Sequence, residues 1–350
     1  MVLAKRIVDY DRNQSRSFAD EALHLLPDDT SIINNWVYVK YCLLDDADLK
    51  AYSNKNLGEK ACWSARVGLA TSHFRSVGVD HNSTELYRSR FEAFALRERE
   101  LAETLTPVGS LDELGEGAMV LGEQGIGDEL MFIGLTQHDR WRHLLSNCLF
   151  VLDGRITELT FLNKLNTQAN GNRAQLDKYR AFIPAAELYL KMKSVDLNIV
   201  IEPWLDIKRE RNAVSKYDVA VSWYSLNKEY GNLRSLKLAA VLEWVIQHDL
   251  GSRVALLQPV RQADRDCLEY FSKKLSLEIC ADRENMRIQE LCRLMNMSKT
   301  VVTADNTIVH LAGSIGCPTF LLLKTAFYDW RWGVLARNAS QYSTVKSTFV

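Results

Sequence analysis

Through about the first hundred residues, apolar positions recur three and four apart, in RSFADEALHLL, TSIINNWVYVKYCLL, EKACWSARVGLATSHF and STELYRSRFEAFALRERELAETL. That spacing lines one face of an α-helix. PDDT at 27–30 supplies an Asp or Thr to cap the orphan amides of a first helical turn. After TPVGSLDELGEG the period changes. Short β-branched or leucine-rich runs follow: AMVLG (118–122), CLFVLD (148–153), LNIVI (197–201), DVAVSW (218–223), RVALLQ (253–258), TVVTA (300–304) and TFLLL (319–323). Segments of helical period separate most of them, and that alternation predicts parallel sheets covered on both faces.

The pattern divides the chain into an all-α region over 1–105 and two Rossmann-like α/β units over 106–208 and 209–350. The joint between the last two falls in EPWLDIKRERNAVSKY, which has no strong apolar face. The helical hairpins suggest a degenerate tetratricopeptide-like array, without a clean self-match at the roughly 34-residue period of that repeat. A helical cap is the plainer alternative.

The chain has 350 residues, 47% hydrophobic and 25% charged, enough for a substantial interior in two or three domains. Its 43 basic and 44 acidic residues leave a net charge of −1. That balance argues against a general nucleic-acid or membrane-surface binder, and no apolar run approaches the ~20 residues of a membrane span. Seven cysteines are scattered without a CxxC pair, which predicts reduced thiols in a cytoplasmic protein. HExxH, Cys/His clusters, GxxxxGK[ST] and GxSxG are all missing from the sequence. No metal, no cofactor and no hydrolase elbow is therefore expected.

Three stretches carry candidate chemistry. The first is LGEQGIGDEL at 121–130, with Glu123, Gln124, Gly125 and Gly127 ahead of Asp128 and Glu129. A dinucleotide fingerprint would need a third glycine where Leu130 stands. Asp153, at the end of the next strand, keeps that alternative open. A helix N-terminus favours anions, and here two carboxylates already occupy it. The same field keeps Asp128 ionised, so it suits a general base awaiting an acceptor hydroxyl. A simple helix cap is the competing role. The second stretch, TVVTADNTIVHLAGSIGCPTFLLL, ends a strand at Ala304, with Asp305 as a possible cap before Asn306, Thr307 and His310. Its first amides suit a diphosphate, and a lone histidine inside such a helix is more often structural. The third is a polar loop holding Lys228, Arg234, Ser235 and Lys237, whose cations could neutralise a diphosphate without metal.

Taken in order, EQGIGD (123–128), RSLKL (234–238), DNTIVHLAGSIGCP (305–318) and DWRW (329–332), with LYRSRFEAF (86–94), resemble glycosyltransferases of the heptosyltransferase (family 9) type. The resemblance is strongest to bacterial members with an N-terminal tetratricopeptide region, and it spans roughly 80–343. It implies a GT-B fold, a pair of Rossmann-like domains, with a nucleotide-sugar donor held mainly by the second and no bound metal. Asp128 falls at the position of the family's catalytic aspartate. Arg234, Ser235, Asp305, Asn306, Thr307 and His310 fall on the donor side, and Glu123, Gln124, Gly125 and Gly127 on the acceptor-side loop. The expected activity is transfer of a sugar from a nucleoside-diphosphate sugar to a hydroxyl of a glycan, lipid-linked glycan or protein. A catalytically inactive adaptor with the same fold is the main alternative, and a dinucleotide-dependent oxidoreductase using Gly125, Gly127 and Asp153 is the second.

Overall fold

The computed structural model describes residue 8 and residues 11–56, 63–88, 105–123, 125–160, 165–169, 178–196, 198–207, 215–227, 230–280, 287–333 and 341–350. The chain forms two compact units. One comprises Met1–Thr104, Lys193–Asn198 and Thr325–Asn338, the other Leu105–Met192, Ile199–Lys324 and Ala339–Val350.

The first unit is helical: α1 (Arg12–Leu25), α2 (Thr30–Cys42), α3 (Asp46–Asn56), α4 (Trp63–Ser76) and α5 (His81–Arg88). The PDDT signal acts as expected, with Asp29 accepting the Ser31 and Ile32 amides at 2.8 and 3.0 Å. α3 was not predicted, because DADLKAYSNKN has no apolar stripe. The predicted helix over 83–105 and the segment 86–94 continue beyond the described residues after Arg88. Buried charge ties the helices together. Lys40 is 1% exposed and donates to Asp20 and Asp48 at 3.0 and 2.7 Å. Arg75, fully buried, donates to Asp46 and to the Tyr41 carbonyl. Phe74, Tyr87 and Trp330 form a ring cluster with centroids 5.4–6.0 Å apart. Trp330 belongs to DWRW, so that motif builds the helical unit's core.

In the second unit the strands described form two sheets, every pairing parallel. The first contains β1 (Thr106–Pro107), β2 (Met119–Leu121), β3 (Leu149–Leu152), β4 (Thr167–Ala169) and β5 (Ala181–Pro184), in the order β1-β5-β2-β3-β4. Its helices are α6 (Ile126–Thr136), α7 (Gly154–Thr160) and α8 (Ala185–Val195). The second sheet contains β6 (Tyr217–Ser222), β7 (Arg253–Leu256), β8 (Ser276–Ile279), β9 (Ser298–Thr303), β10 (Thr319–Leu323) and β11 (Val345–Phe349), in the order β11-β10-β9-β6-β7-β8. α9 (Leu238–Gln247), α10 (Arg265–Ser272), α11 (Ile288–Asn296) and α12 (Thr307–Ile315) accompany it.

Read from β8, the second sheet runs third, second, first, fourth, fifth, sixth, the doubly wound order, and β4-β3-β2-β5 repeats its first four places. The strand order therefore reverses between β2 and β5, and again between β6 and β9. Every residue of β3 and β6 is buried, which is why these central strands read as unbroken apolar runs. Val219, Val221, Leu242, Val245, Val302 and Leu322 build the core against α9.

LNIVI does not form a strand among the described residues. Ile201 makes a single bridge to Tyr342, Pro203 has no amide to donate, and the Trp204 and Leu205 amides go instead to the Ser314 carbonyl, both at 2.9 Å. That carbonyl lies near the end of α12, which closes on Gly316 in the left-handed conformation (φ 79°). One turn earlier, a β-carbon on Gly313 would run into the Tyr342 ring. Gly313→Ala is therefore expected to destabilise the second unit by about 1–3 kcal/mol, the usual cost of overpacking a core. Denaturant unfolding monitored on both variants checks this, and equal midpoints would refute the packing.

Candidate functional site

Both strand-order reversals place polar side chains at the carboxyl ends of strands, where open α/β sheets bind ligands. At the first, β2 runs out into GEQGIGD. Glu123 is buried and its Oε1 accepts the Ala186 amide at 2.8 Å. It therefore caps the first turn of α8 and joins the ends of β2 and β5. Gln124 lies outside the described residues. Gly125 is the N-cap of α6, and its amide donates to Asp128 at 3.2 Å. Asp128 is half-buried and thus occupies a capping position, as one of the two sequence alternatives holds.

Glu129 was not singled out from the sequence as a separate group. It is 5% exposed, its Oε2 accepts the Asp153 amide at 2.9 Å, and its other oxygen lies against Gly122. Burial, together with the charges of Asp153, Asp128 and Glu123, pushes its pKa up to about 7, although the Asp153 amide opposes the shift. Asp153 is held by Arg155 at 2.8 and 2.9 Å, and that hydrogen bonding keeps its carboxyl below the usual range.

At the second reversal, β9 runs into ADNTIVH beside the end of β6. Asp305 does not cap α12. The cap is Asn306, whose Oδ1 accepts the Ile308 amide at 2.9 Å. The side-chain amide of Asn306 reaches across the reversal to the Ser222 hydroxyl at 2.7 Å and the Tyr224 carbonyl at 3.0 Å. Asp305 is 2% exposed and faces Arg234, Oδ2 to Nε 3.4 Å. The Asp305 oxygens accept no hydrogen bond among the described residues. Arg234 also lies 5.7 Å above the Tyr230 ring. Ser235 serves its own loop: its hydroxyl donates to the Gly231 carbonyl at 2.6 Å and accepts the Ser225 amide at 2.9 Å. His310 is buried with Nδ1 3.0 Å from the Tyr342 hydroxyl. Lys237 is exposed and Lys228 lies outside the described residues.

The two stretches meet. A β-carbon on Gly127 would stand 2.7 Å from His310 Cδ2 and 3.3 Å from the Thr307 Cα. The first turns of α6 and α12 are thus in direct contact, and Asp128 is the next residue along. Among the described residues no group of three or more Cys, His, Asp or Glu is arranged to hold a metal, and no helix is long and apolar enough to cross a membrane.

No protein-family model matches the chain, and no curated protein is similar to it. Solved structures are. Those similar to it include heptosyltransferases. The iron-containing dodecameric glycosyltransferase TibC of enterotoxigenic E. coli is 12% identical, over 59% of this chain and 58% of that one, with a TM-score of 0.43. This chain thus spans 58% of the length of TibC. The E. coli heptosyltransferase WaaC, solved with ADP, is 9% identical over 67% of this chain and 93% of that one, TM-score 0.43. A family 9 glycosyl transferase from Veillonella parvula is 11% identical over 68% and 87%, TM-score 0.42. At TM-scores below 0.5 the likeness assigns no residue of this chain a role.

Glu129 makes the site's electrostatics measurable. A carboxyl whose folded pKa is raised favours the folded state while protonated. That stability is complete below its ordinary value of 4.5 and is lost as the pH rises through about 7. The protein is expected to lose up to about 3 kcal/mol of this contribution between pH 4.5 and 8. Glu129→Gln should remove that decline and be the more stable protein at pH 8. Urea unfolding at several pH values checks this, and parallel curves would refute it.

Proposed function

We propose that the chain is a glycosyltransferase of GT-B-like design that moves a sugar from a nucleoside-diphosphate sugar to an acceptor hydroxyl. The observation that carries this is the contact of Gly127 with Thr307 and His310. It sets a helix-capping carboxylate one residue from a helix N-terminus that favours a diphosphate. In this reaction Asp128 takes the proton of the acceptor hydroxyl while that oxygen attacks the anomeric carbon. The bond from that carbon to the diphosphate oxygen breaks, and the leaving diphosphate takes the electron pair. Charge grows on the diphosphate, so Arg234 and the first turn of α12 stabilise the transition state more than the bound donor. Asn306 and Asp305 position these groups: Asn306 by capping α12 and bridging to β6, Asp305 by holding the Arg234 guanidinium. Ser235 shapes the loop. In this reading Glu123 and the two glycines build the acceptor-side turn, and Gln124 belongs to it by sequence. No divalent metal takes part, and the helical region, tetratricopeptide-like in this reading, recognises the acceptor or its carrier.

WaaC was solved with ADP and TibC with ADP-D-β-D-heptose, so ADP and that ADP-sugar are natural first probes. ADP at a hundred times its Kd should stabilise the protein by about 2.7 kcal/mol, with EDTA present as without it. Arg234→Lys keeps a cation beside Asp305 but loses the planar fork, and is expected to weaken ADP binding by about 1–2 kcal/mol. A thermal-shift titration checks both. Stabilisation that disappears with EDTA, or equal affinity in the variant, would overturn the donor site.

Asp128→Asn separates base from cap. Asn still accepts the Gly125 amide, so folding stability should change by only a few tenths of a kcal/mol. Sugar transfer should fall ~10²–10⁴-fold, the usual cost of losing a general base. A folded variant with near-normal transfer leaves Asp128 as a cap. Donor binding without transfer in the parent protein would make the chain an adaptor.

A further inference from the structure

A cavity of about 690 Å³ opens at the other end of the first sheet, where β3 begins with Leu149 and Phe150 and where α6 ends at Thr136. The strand carboxyl ends that carry Asp128 and Glu123 lie at the opposite edge, so this is a separate site. Its size falls within the ~300–1,000 Å³ of small-molecule pockets. Gln137, Asp139, Arg142, Asn166, Glu202 and Trp204 supply the polar and aromatic part of its wall. Leu145 and Phe150, both buried, supply apolar surface.

We propose that this cavity binds a neutral saccharide, with amide and carboxylate side chains taking its hydroxyls and the Trp204 indole and apolar wall taking its C–H face. Charge decides the ligand class. The Arg142 guanidinium is already engaged, donating to the Gln137 carbonyl at 2.9 Å and lying 3.5 Å from Asp139. His138 Nδ1 accepts the Arg140 amide at 3.2 Å. Two carboxylates, Asp139 and Glu202, share the wall, and Glu202 accepts the Ser343 hydroxyl at 2.7 Å. The wall carries one guanidinium against two carboxylates, a negative balance that disfavours a phosphate or another anion. Carboxylates and amides are acceptors and donors matched to vicinal hydroxyls, and an indole offers an apolar face with low ordering cost. Trp204 is fixed for this purpose: its amide is held by the Ser314 carbonyl, and its Nε1 edge sits against Gly134 of α6. A side chain at Gly134 would push the ring from its seat.

Saturation-transfer NMR on the full-length protein tests this, with maltotriose, mannotriose, galactotriose and chitotriose as neutral probes and a heparin disaccharide as the anionic control. At least one neutral probe should show transfer, unchanged by saturating ADP. Trp204→Ala should weaken that binding at least about tenfold. Ser146→Trp, at the exposed rim of the cavity, should abolish it without touching the core, which covers the case in which the first variant misfolds. The proposal is overturned if no neutral probe shows transfer, if only the heparin disaccharide does, if ADP displaces the probe, or if Ser146→Trp binds it normally.

Discussion

Two helices whose first turns touch bring two positive poles together, each about half an elementary charge. α6 and α12 do this at Gly127, whose missing side chain is what lets the Thr307 backbone and the His310 ring approach. Such a contact is electrostatically unfavourable unless negative charge stands beside it. α12 carries no acid in its first turn, whereas α6 carries Asp128 and Glu129. Asp128 at the mouth of the glycine-rich turn therefore has a structural reason to be there: its carboxylate offsets the combined field of two helix ends. In the proposed reaction the half-buried Arg234 adds positive charge beside α12, where Asp128 offsets part of the helix field.

The two strand-order reversals are closed by different chemistry. In the first sheet a carboxylate, Glu123, caps α8 from across the reversal. In the second an amide, Asn306, caps its own helix while its NH₂ group reaches Ser222 and Tyr224. An amide can do both because it accepts on one side and donates on the other. An aspartate at 306 could cap but could not donate to the Tyr224 carbonyl.

Period and strand length made most of the α/β architecture legible in the sequence. The strands β2, β3, β6, β7, β9 and β10 all showed as apolar runs because both their faces are covered, whereas β5, also between two neighbours, is only four residues long, ends on Pro184 and did not show. Edge strands did not. β8 and β11 expose most of their residues, so their composition resembles that of loops, and β1 is two residues long. LNIVI misled in the opposite direction, being apolar enough for a strand but followed by Pro203. In the candidate site, residue types and spacing drew attention to Gly127, Asp128, Asn306 and Arg234. They could not show that Asp305 faces Arg234 and leaves the cap to Asn306, nor that Glu129 is buried, because both depend on contacts across chain separations that spacing does not encode. The sequence marked Glu129 only as the second of two acids at the start of α6.

The helical unit is assembled from distant pieces of chain. The rings of Phe74 and Tyr87 pack on Trp330, and the backbone of Gly333 lies against that of Arg75. During synthesis, about 240 residues separate Tyr87 from Trp330. At ribosomal rates of roughly 5–20 residues per second, the early helices wait tens of seconds with the Trp330 side of that aromatic cluster uncovered. The part of the protein made first is thus among the last to be completed. A nascent chain of this design has its greatest need of chaperone cover over the emerged N-terminal helices, and a shortened transcript that ends before residue 330 would leave them permanently without their closing tryptophan.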